Sequence, residues 1–171
     1  MPATDVSVVG VVGAGLMGHA LALEFARAGY EVRIHDESES QLESVPERVR
    51  NTMSILAEYG LAEANDADQV IERITCTRDL KVAAEASQFV IEAVAEDLSI
   101  KQKVFSELDA ICGPDVILAS NTSAISPTAL GNATKKPDRV LVTHYFNPPY
   151  LLPAVEVVPG EETSRETVEA A

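Results

Sequence analysis

Hydrophobic and polar positions along this chain follow two different periods, and the switches between them mark its elements. Val6 to Val12 is a β-branched run broken only by Gly10, the pattern of a strand covered on both faces in a parallel sheet. Helical spacing follows at once: Met17, Ala20, Leu21, Phe25 and Ala28 share a face, and Gly29 stands where such a helix would stop. Glu31 to His35 reads as a second short strand, which completes a βαβ unit. From Glu37 to Gly60 the chain is polar, with apolar residues at helical spacing, and Pro46 predicts a helix start or a kink there. Asp66 to Arg73 continues as a shorter helix. The alternation then resumes: a strand at Phe89 to Ala93, a helix over Leu98 to Cys112, a strand at Val116 to Ala119, a short helix after Ser126 and a strand at Arg139 to His144. A last run, after three prolines, holds Glu156. Strands alternating with helices predict an α/β chain built on a doubly wound, mainly parallel sheet, with a helical excursion after the second strand.

Composition narrows what such a sheet could serve. The 171 residues are 46% hydrophobic, enough for one domain with a sizeable core. With 27 acidic against 13 basic residues the net charge is -14, which repels nucleic acid and anionic membranes, so neither is expected as a partner. Met1 to Asp5 carries no basic region, and no apolar run approaches the roughly 20 residues that span a bilayer; the expected location is the cytoplasm. Cys76 and Cys112 lack CxxC or histidine-flanked spacing, so they read as buried free thiols and no metal site is indicated.

Between the first strand and the first helix stands "GAGLMG", residues 13 to 18, with Gly13, Gly15 and Gly18 in the G-x-G-x-x-G spacing. In that position the motif is a dinucleotide-binding loop of Rossmann type. Gly13 permits the tight turn, Gly15 lets the backbone approach a pyrophosphate, Gly18 lets helix and strand pack closely, and the helix N-terminus favours the anion. The cofactor-binding stretch therefore comprises Gly13, Ala14, Gly15, Leu16, Met17 and Gly18. Asp36, at the end of the second strand, can accept hydrogen bonds from an adenosine ribose. Glu37 follows it and Arg33, the nearest arginine in sequence, lies back within the strand. A 2'-phosphate would meet two carboxylates, so NAD is expected over NADP.

Three further stretches, "VIEAVAEDLSIKQKVF" at 90 to 105, "ASNTSAI" at 119 to 125 and "THYFNPPYLLPAVEVV" at 143 to 158, join the glycine loop in one order. Together they resemble the NAD domain of the 3-hydroxyacyl-CoA dehydrogenase family, over nearly the whole chain. The resemblance implies a catalytic pair at His144 and Glu156, a serine near nicotinamide and substrate oxygen at Ser123, and cofactor contacts at Glu96, Lys101 and Asn147. Spacing alone leaves His144 and Glu156 open, as two halves of one unit or as an accident of a strand, loop, strand connection.

The residue types suit such roles. Oxidising a secondary alcohol requires a base that takes the hydroxyl proton while the carbon-bound hydrogen leaves as hydride, and histidine titrates in the right range. A carboxylate such as Glu156 can fix the imidazole tautomer and stabilise the imidazolium, and a hydroxyl such as that of Ser123 can donate to a developing alkoxide. His19 and His35 match no such position and read as helix packing and strand-end surface.

Where family members contact coenzyme A through a serine and a lysine, this chain has Thr52 and Tyr59 among several glutamates. The proline-rich stretch also resembles the branch that oxidises free hydroxy acids, such as gulonate or carnitine. Dehydrogenation of an L-3-hydroxyacyl-CoA is the first expectation, that of a free 3-hydroxy acid the second, and a non-catalytic NAD-binding protein, as in a lens crystallin, the third. Residues 161 to 171 begin a helix capped by Thr163 or Ser164, so the chain is expected to be the front of a longer protein. The family's helical domain, which completes the cleft and forms a homodimer, is absent from these residues; NAD binding with little turnover is expected of them alone.

Overall fold

One seven-stranded sheet in the order β3-β2-β1-β4-β5-β6-β7 carries the molecule, a computed structural model that describes residues 6–171. The strands are β1 (Val8–Val12), β2 (Glu31–His35), β3 (Ile74–Thr77), β4 (Phe89–Glu92), β5 (Ile117–Ser120), β6 (Val140–Tyr145) and β7 (Val155–Pro159). The helices are α1 (Leu16–Arg27), α2 (Glu39–Glu58), α3 (Ala67–Glu72), α4 (Leu80–Ala84), α5 (Leu98–Ile111), α6 (Pro127–Gly131) and α7 (Arg165–Ala170). All neighbouring strands are parallel except β6 and β7. The chain winds outward from β1 to β3, then returns to lay β4 on the other side of β1. That reversal opens a crevice at the carboxyl ends of β1 and β4, where doubly wound sheets place ligands.

The two faces of the sheet carry two cores, as the side-chain period of two requires. Val9, Val11, Ile34, Phe89, Ile91, Ala119 and Leu141 pack with α1, α2 and α3 on one face. Val90, Leu118 and Val140 pack with Phe105 and Leu108 of α5 and Leu130 of α6 on the other. Helix α1 lies between the sheet and two helices, so it is buried on nearly all sides and not along one stripe; Ala28, expected on that stripe, is exposed at its end.

Several local expectations are corrected. β1 begins at Val8, with Val6 outside it. β3 and α4 have no counterpart in the hydrophobic pattern, because they are four and five residues long, and β3 lies at the edge of the sheet. Cys76 on that edge strand is exposed; only Cys112 is buried, and burial pushes its thiol up to about 11. Helix α2 runs through Pro46 without starting there; it starts from Ser38, whose hydroxyl accepts the Gln41 N–H. Ser164 caps α7 in the same way. Residues 1–5, where the sequence lacks a basic region, lie outside the described residues. Among the described residues no helix is long and apolar enough to cross a membrane.

A buried ion pair braces the far end of α5 against the entry to β6. Arg139 Nη2 donates to Asp109 Oδ1 at 2.8 Å, and its other amino group serves the Gly113 and Val116 carbonyls. Partial burial works against ionisation, yet hydrogen bonds from Arg139 and the Lys135 N–H hold the Asp109 carboxyl below its ordinary value. Its folded value lies below its unfolded one, so its contribution is complete above about pH 5 and lost as pH falls through the folded value. Asp109→Ala leaves a buried guanidinium unpaired and is expected to cost roughly 3–5 kcal/mol at neutral pH. Chemical denaturation of both proteins should show that gap narrowing as pH falls below about 4.

Candidate active site

The glycine loop leaves β1 through a backbone that only glycine fits. Gly13 has φ +101°, and a Cβ there would lie 2.7 Å from the Ala93 carbonyl oxygen. A Cβ on Gly18 would lie 1.7 Å from the Gly13 oxygen, so the first turn of α1 can sit on β1 only without one. Gly15 faces open space. Gly13 N–H donates to His35 O at 2.7 Å and Ala14 N–H to Asp36 Oδ2 at 2.7 Å. The N–H groups of Gly15, Leu16, Met17 and Gly18 have no acceptor among the described residues. A helix N-terminus with four unpaired donors is suited to an anion.

Asp36 closes this loop against β2. Besides Ala14 it accepts the Ser38 N–H at 2.8 Å on Oδ1, so both its oxygens are oriented by backbone and each keeps a lone pair for a ligand hydroxyl. The Arg33 guanidinium, in contrast, donates to the Val82 carbonyl at 3.0 Å, away from the loop. His35 lines the crevice with its Nδ1 buried and unpartnered, so it is not the surface residue the pattern suggested.

Two cavities flank the carboxyl end of β4 and share Ala93 and Val94 as a common wall. One, of about 760 Å³, is lined by Gly13, Gly15, Asp36, Glu37, Ile100 and Val104. The other, of about 500 Å³, is lined by Leu16, Met17, Glu96, Ser123, His144 and Asn147. The pair straddles the switch point, with the unpaired loop N–H groups between a slot beside Asp36 and a second end beside His144. An adenosine-pyrophosphate-nicotinamide ligand fits this donor set: a carboxylate for a ribose, free N–H groups for phosphates, and room on both sides.

The end beside His144 is organised by register. His144 and Glu156 stand directly opposite each other on antiparallel β6 and β7. His144 Nδ1 donates to Glu156 Oε2 at 2.8 Å, since a carboxylate can only accept. With its proton on Nδ1, the ring presents a lone pair on Nε2, and the Ser123 hydroxyl donates to it at 3.0 Å. The His144 side chain is 19% exposed and that of Glu156 59%, so the pair sits at the rim of the cavity.

Behind Ser123 lies a charge network that the sequence reading only partly anticipated. Glu92, with 0% exposure at the end of β4, accepts from the Val94 N–H at 2.6 Å, Lys101 Nζ at 2.7 Å and the Ser120 hydroxyl at 2.7 Å. Lys101, expected to touch cofactor, is 1% exposed; its ammonium faces Glu92, the Val94 carbonyl at 3.3 Å and Glu96 at 3.2 Å. With these three acceptors around its ammonium Lys101 positions Glu96, and it lines the same cavity as Ser123 and His144. Desolvation would raise the Glu96 pKa, but hydrogen bonds from Thr122, Lys101 and the Ser123 N–H, with the charge of Lys101, hold it below its ordinary value. Thr52, placed as a hydroxyl donor toward coenzyme A, is buried within α2's packed face, whereas Tyr59 is exposed. Among the described residues no cluster of side chains is arranged to hold a metal ion.

Comparison with known proteins follows the same boundaries. The model of the 3-hydroxyacyl-CoA dehydrogenase NAD-binding domain matches residues 8–171. The chain belongs to that family. A 3-hydroxybutyryl-CoA dehydrogenase of Mycobacterium tuberculosis is 41% identical over 88% of this chain and 52% of its own length. An L-carnitine dehydrogenase of Bacillus cereus is 34% identical over 98% of this chain and 50% of its own length. The crystal structure of an (S)-3-hydroxybutyryl-CoA dehydrogenase from Ralstonia eutropha superposes with a TM-score of 0.92 at 33% identity, over 97% of this chain and 58% of that one. The chain thus spans about half the length of the curated relatives it matches. As a member of this NAD-binding domain family, it takes NAD as its cofactor.

Two outcomes test this site. Gly18→Ala forces the first turn of α1 off β1 and is expected to weaken NADH, followed by its fluorescence, by roughly tenfold or more, as loss of one to two charge-assisted hydrogen bonds would. Glu92→Gln leaves Lys101 buried without its nearest carboxylate and is expected to lower unfolding free energy by roughly 3 kcal/mol, seen as a lower urea midpoint at unchanged slope.

Proposed function

We propose that this chain is the cofactor-binding part of an NAD-dependent dehydrogenase that oxidises the 3-hydroxyl of an L-3-hydroxyacyl-CoA, such as 3-hydroxybutyryl-CoA, to the 3-oxo product. The observation that carries the reading is the hydrogen-bonded series Ser123, His144, Glu156 at the rim of the cavity that adjoins the glycine loop. Family membership and the 3-hydroxybutyryl-CoA dehydrogenases among its relatives support it.

When bound, NAD supplies the hydride acceptor for the carbon-bound hydrogen. His144 Nε2 takes the hydroxyl proton, a role that requires the Ser123 hydroxyl to turn from Nε2 toward the substrate oxygen. There Ser123 donates a hydrogen bond to the charge that develops. Glu156 keeps the Nδ1 proton in place and stabilises the imidazolium that results. In the reverse direction His144 returns the proton to the carbonyl oxygen.

A second reading, a dehydrogenase of a free 3-hydroxy acid, is favoured by α2. Thr52 is buried there, Tyr59 brings no charge, and Glu39, Glu43, Glu47 and Glu58 present acid to any polyanionic carrier. An L-carnitine dehydrogenase among the relatives supports the same alternative. NADH formation by the full-length dehydrogenase, of which this chain is the cofactor-binding part, with 3-hydroxybutyryl-CoA, gulonate and carnitine in parallel separates the readings; no signal with any would favour a non-catalytic protein. In the same full-length protein His144→Ala is expected to leave NADH affinity within about twofold while turnover falls roughly 10²-fold or more. Turnover that survived the substitution would remove His144 as the base.

A further inference from the structure

A guanidinium from α2 grips the glycine loop from behind. Arg48 Nη2 donates to the Ala14 carbonyl, Nη1 donates to the Gly15 carbonyl at 3.3 Å, and Nη2 also reaches Gln41 O at 3.4 Å in its own helix. His19, one turn into α1, adds a second contact: its Nδ1 lies 2.8 Å from Gly15 O and 3.2 Å from Arg48 Nη1. A carbonyl only accepts and an arginine only donates, so Nδ1 cannot satisfy both with one tautomer. The shorter contact assigns the proton to Nδ1, which donates to Gly15 O. Burial, opposed by that hydrogen bond and joined by the charge of Arg48, holds the His19 pKa below its ordinary value.

Peptide planarity turns this grip into a statement about the other side of the loop. In a trans peptide the carbonyl of one residue and the N–H of the next point in opposite directions. Holding the Ala14 and Gly15 carbonyls toward α2 therefore turns the Gly15 and Leu16 N–H groups away from it. Those are two of the four unpaired donors described above. The first bond of α1 runs from the His19 N–H to Gly15 O at 3.3 Å, so the Gly18 N–H before it has no acceptor among the described residues. The guanidinium also places a full positive charge directly behind the two peptides, in a chain whose net charge is -14 and whose Asp36 carboxylate is bonded to the loop.

We propose that Arg48, seconded by His19, is a positioning residue for the phosphate-bearing part of the dinucleotide: it fixes two peptide planes so that their N–H groups face the pyrophosphate. The proposal rests on the family reading that this loop takes NAD, and goes beyond it by assigning the loop's orientation to a side chain outside the glycine motif. It makes a division that a merely structural role would not: ligands with phosphates depend on Arg48, and a ligand without them does not.

Isothermal titration of NADH, ADP and adenosine against the wild-type chain, Arg48→Met and Arg48→Lys tests it, with thermal melting of each protein alongside. Arg48→Met is expected to weaken ADP and NADH roughly tenfold or more, the size of a lost charge-assisted hydrogen bond, and to leave adenosine within about twofold. Arg48→Lys keeps the charge but loses the fork, so it is expected to weaken ADP severalfold; full restoration by lysine would show that charge alone matters and overturn the positioning role. Equal losses on adenosine and ADP, or no loss on ADP, would also overturn it. Where Arg48→Met does not fold, the lysine variant decides on the same ratio. A wild-type chain that bound neither ADP nor NADH would overturn the dinucleotide reading and this proposal with it, whereas normal wild-type binding with unaffected variants would remove Arg48 alone.

Discussion

The buried carboxylate of Glu92 is the constraint on which the functional end of the sheet depends. An ionised group without solvent is tolerable only when donors replace its hydration, and here they come from the loop after β4, from α5 and from β5. Each donor fixes the backbone that carries it, so one carboxylate sets the relative placement of three elements. The ordering passes outward through Lys101 to Glu96, from Glu96 to Thr122 and the Ser123 N–H, and from the Ser123 hydroxyl to His144 and Glu156. The groups assigned to chemistry are therefore aligned by a hydrogen-bonded series that starts from a buried carboxylate, a condition for precise proton transfer.

The single antiparallel strand has a specific use in this arrangement. Two residues on parallel neighbours are separated by a crossover of a dozen or more residues, usually a helix, and their side chains need not meet. After β6 the chain instead turns through the segment with Pro148, Pro149 and Pro153 and returns as β7, which puts Glu156 directly across from His144. Prolines remove ladder donors and keep the connection from pairing, so the strands begin where the loop lets them. The spacing of twelve residues is then the length of a hairpin whose base carries the pair.

How much of this was legible in the sequence depends on what enforces each feature. The glycine loop was legible because its glycines answer to steric contacts at fixed backbone positions, 1.7 Å in the case of Gly18. The order of strands and helices followed from period, except β3 and α4, too short for a period to register. His144 and Glu156 were legible as a pair only through family resemblance, because spacing fits an extended chain as well as a hairpin. Glu92 carried a signal that went unread: a carboxylate inside the apolar run "VIEAV" at a strand end asks for a buried partner. That partner is Lys101, which the family resemblance offered as a cofactor contact. Arg48 carried no signal at all, since one arginine on a polar helix looks solvated and its partners are main-chain carbonyls, which have no sequence signature.

An acidic chain that takes an anionic cofactor seems a contradiction only if charge is summed over the whole molecule. At physiological ionic strength the screening length is about 8 Å, so most of the 27 carboxylates act weakly on the loop while groups in contact with it act fully. Those groups are four unpaired N–H dipoles, the Arg48 guanidinium behind them and Asp36 beside them. Asp36 is the carboxylate bonded to the loop, and each of its oxygens accepts a backbone N–H, which offsets part of that charge. The same carboxylate that opposes the phosphates keeps lone pairs for a ribose. Recognition at this end of the crevice is thus settled within one screening length, by dipoles and one guanidinium whose orientation the fold has already fixed.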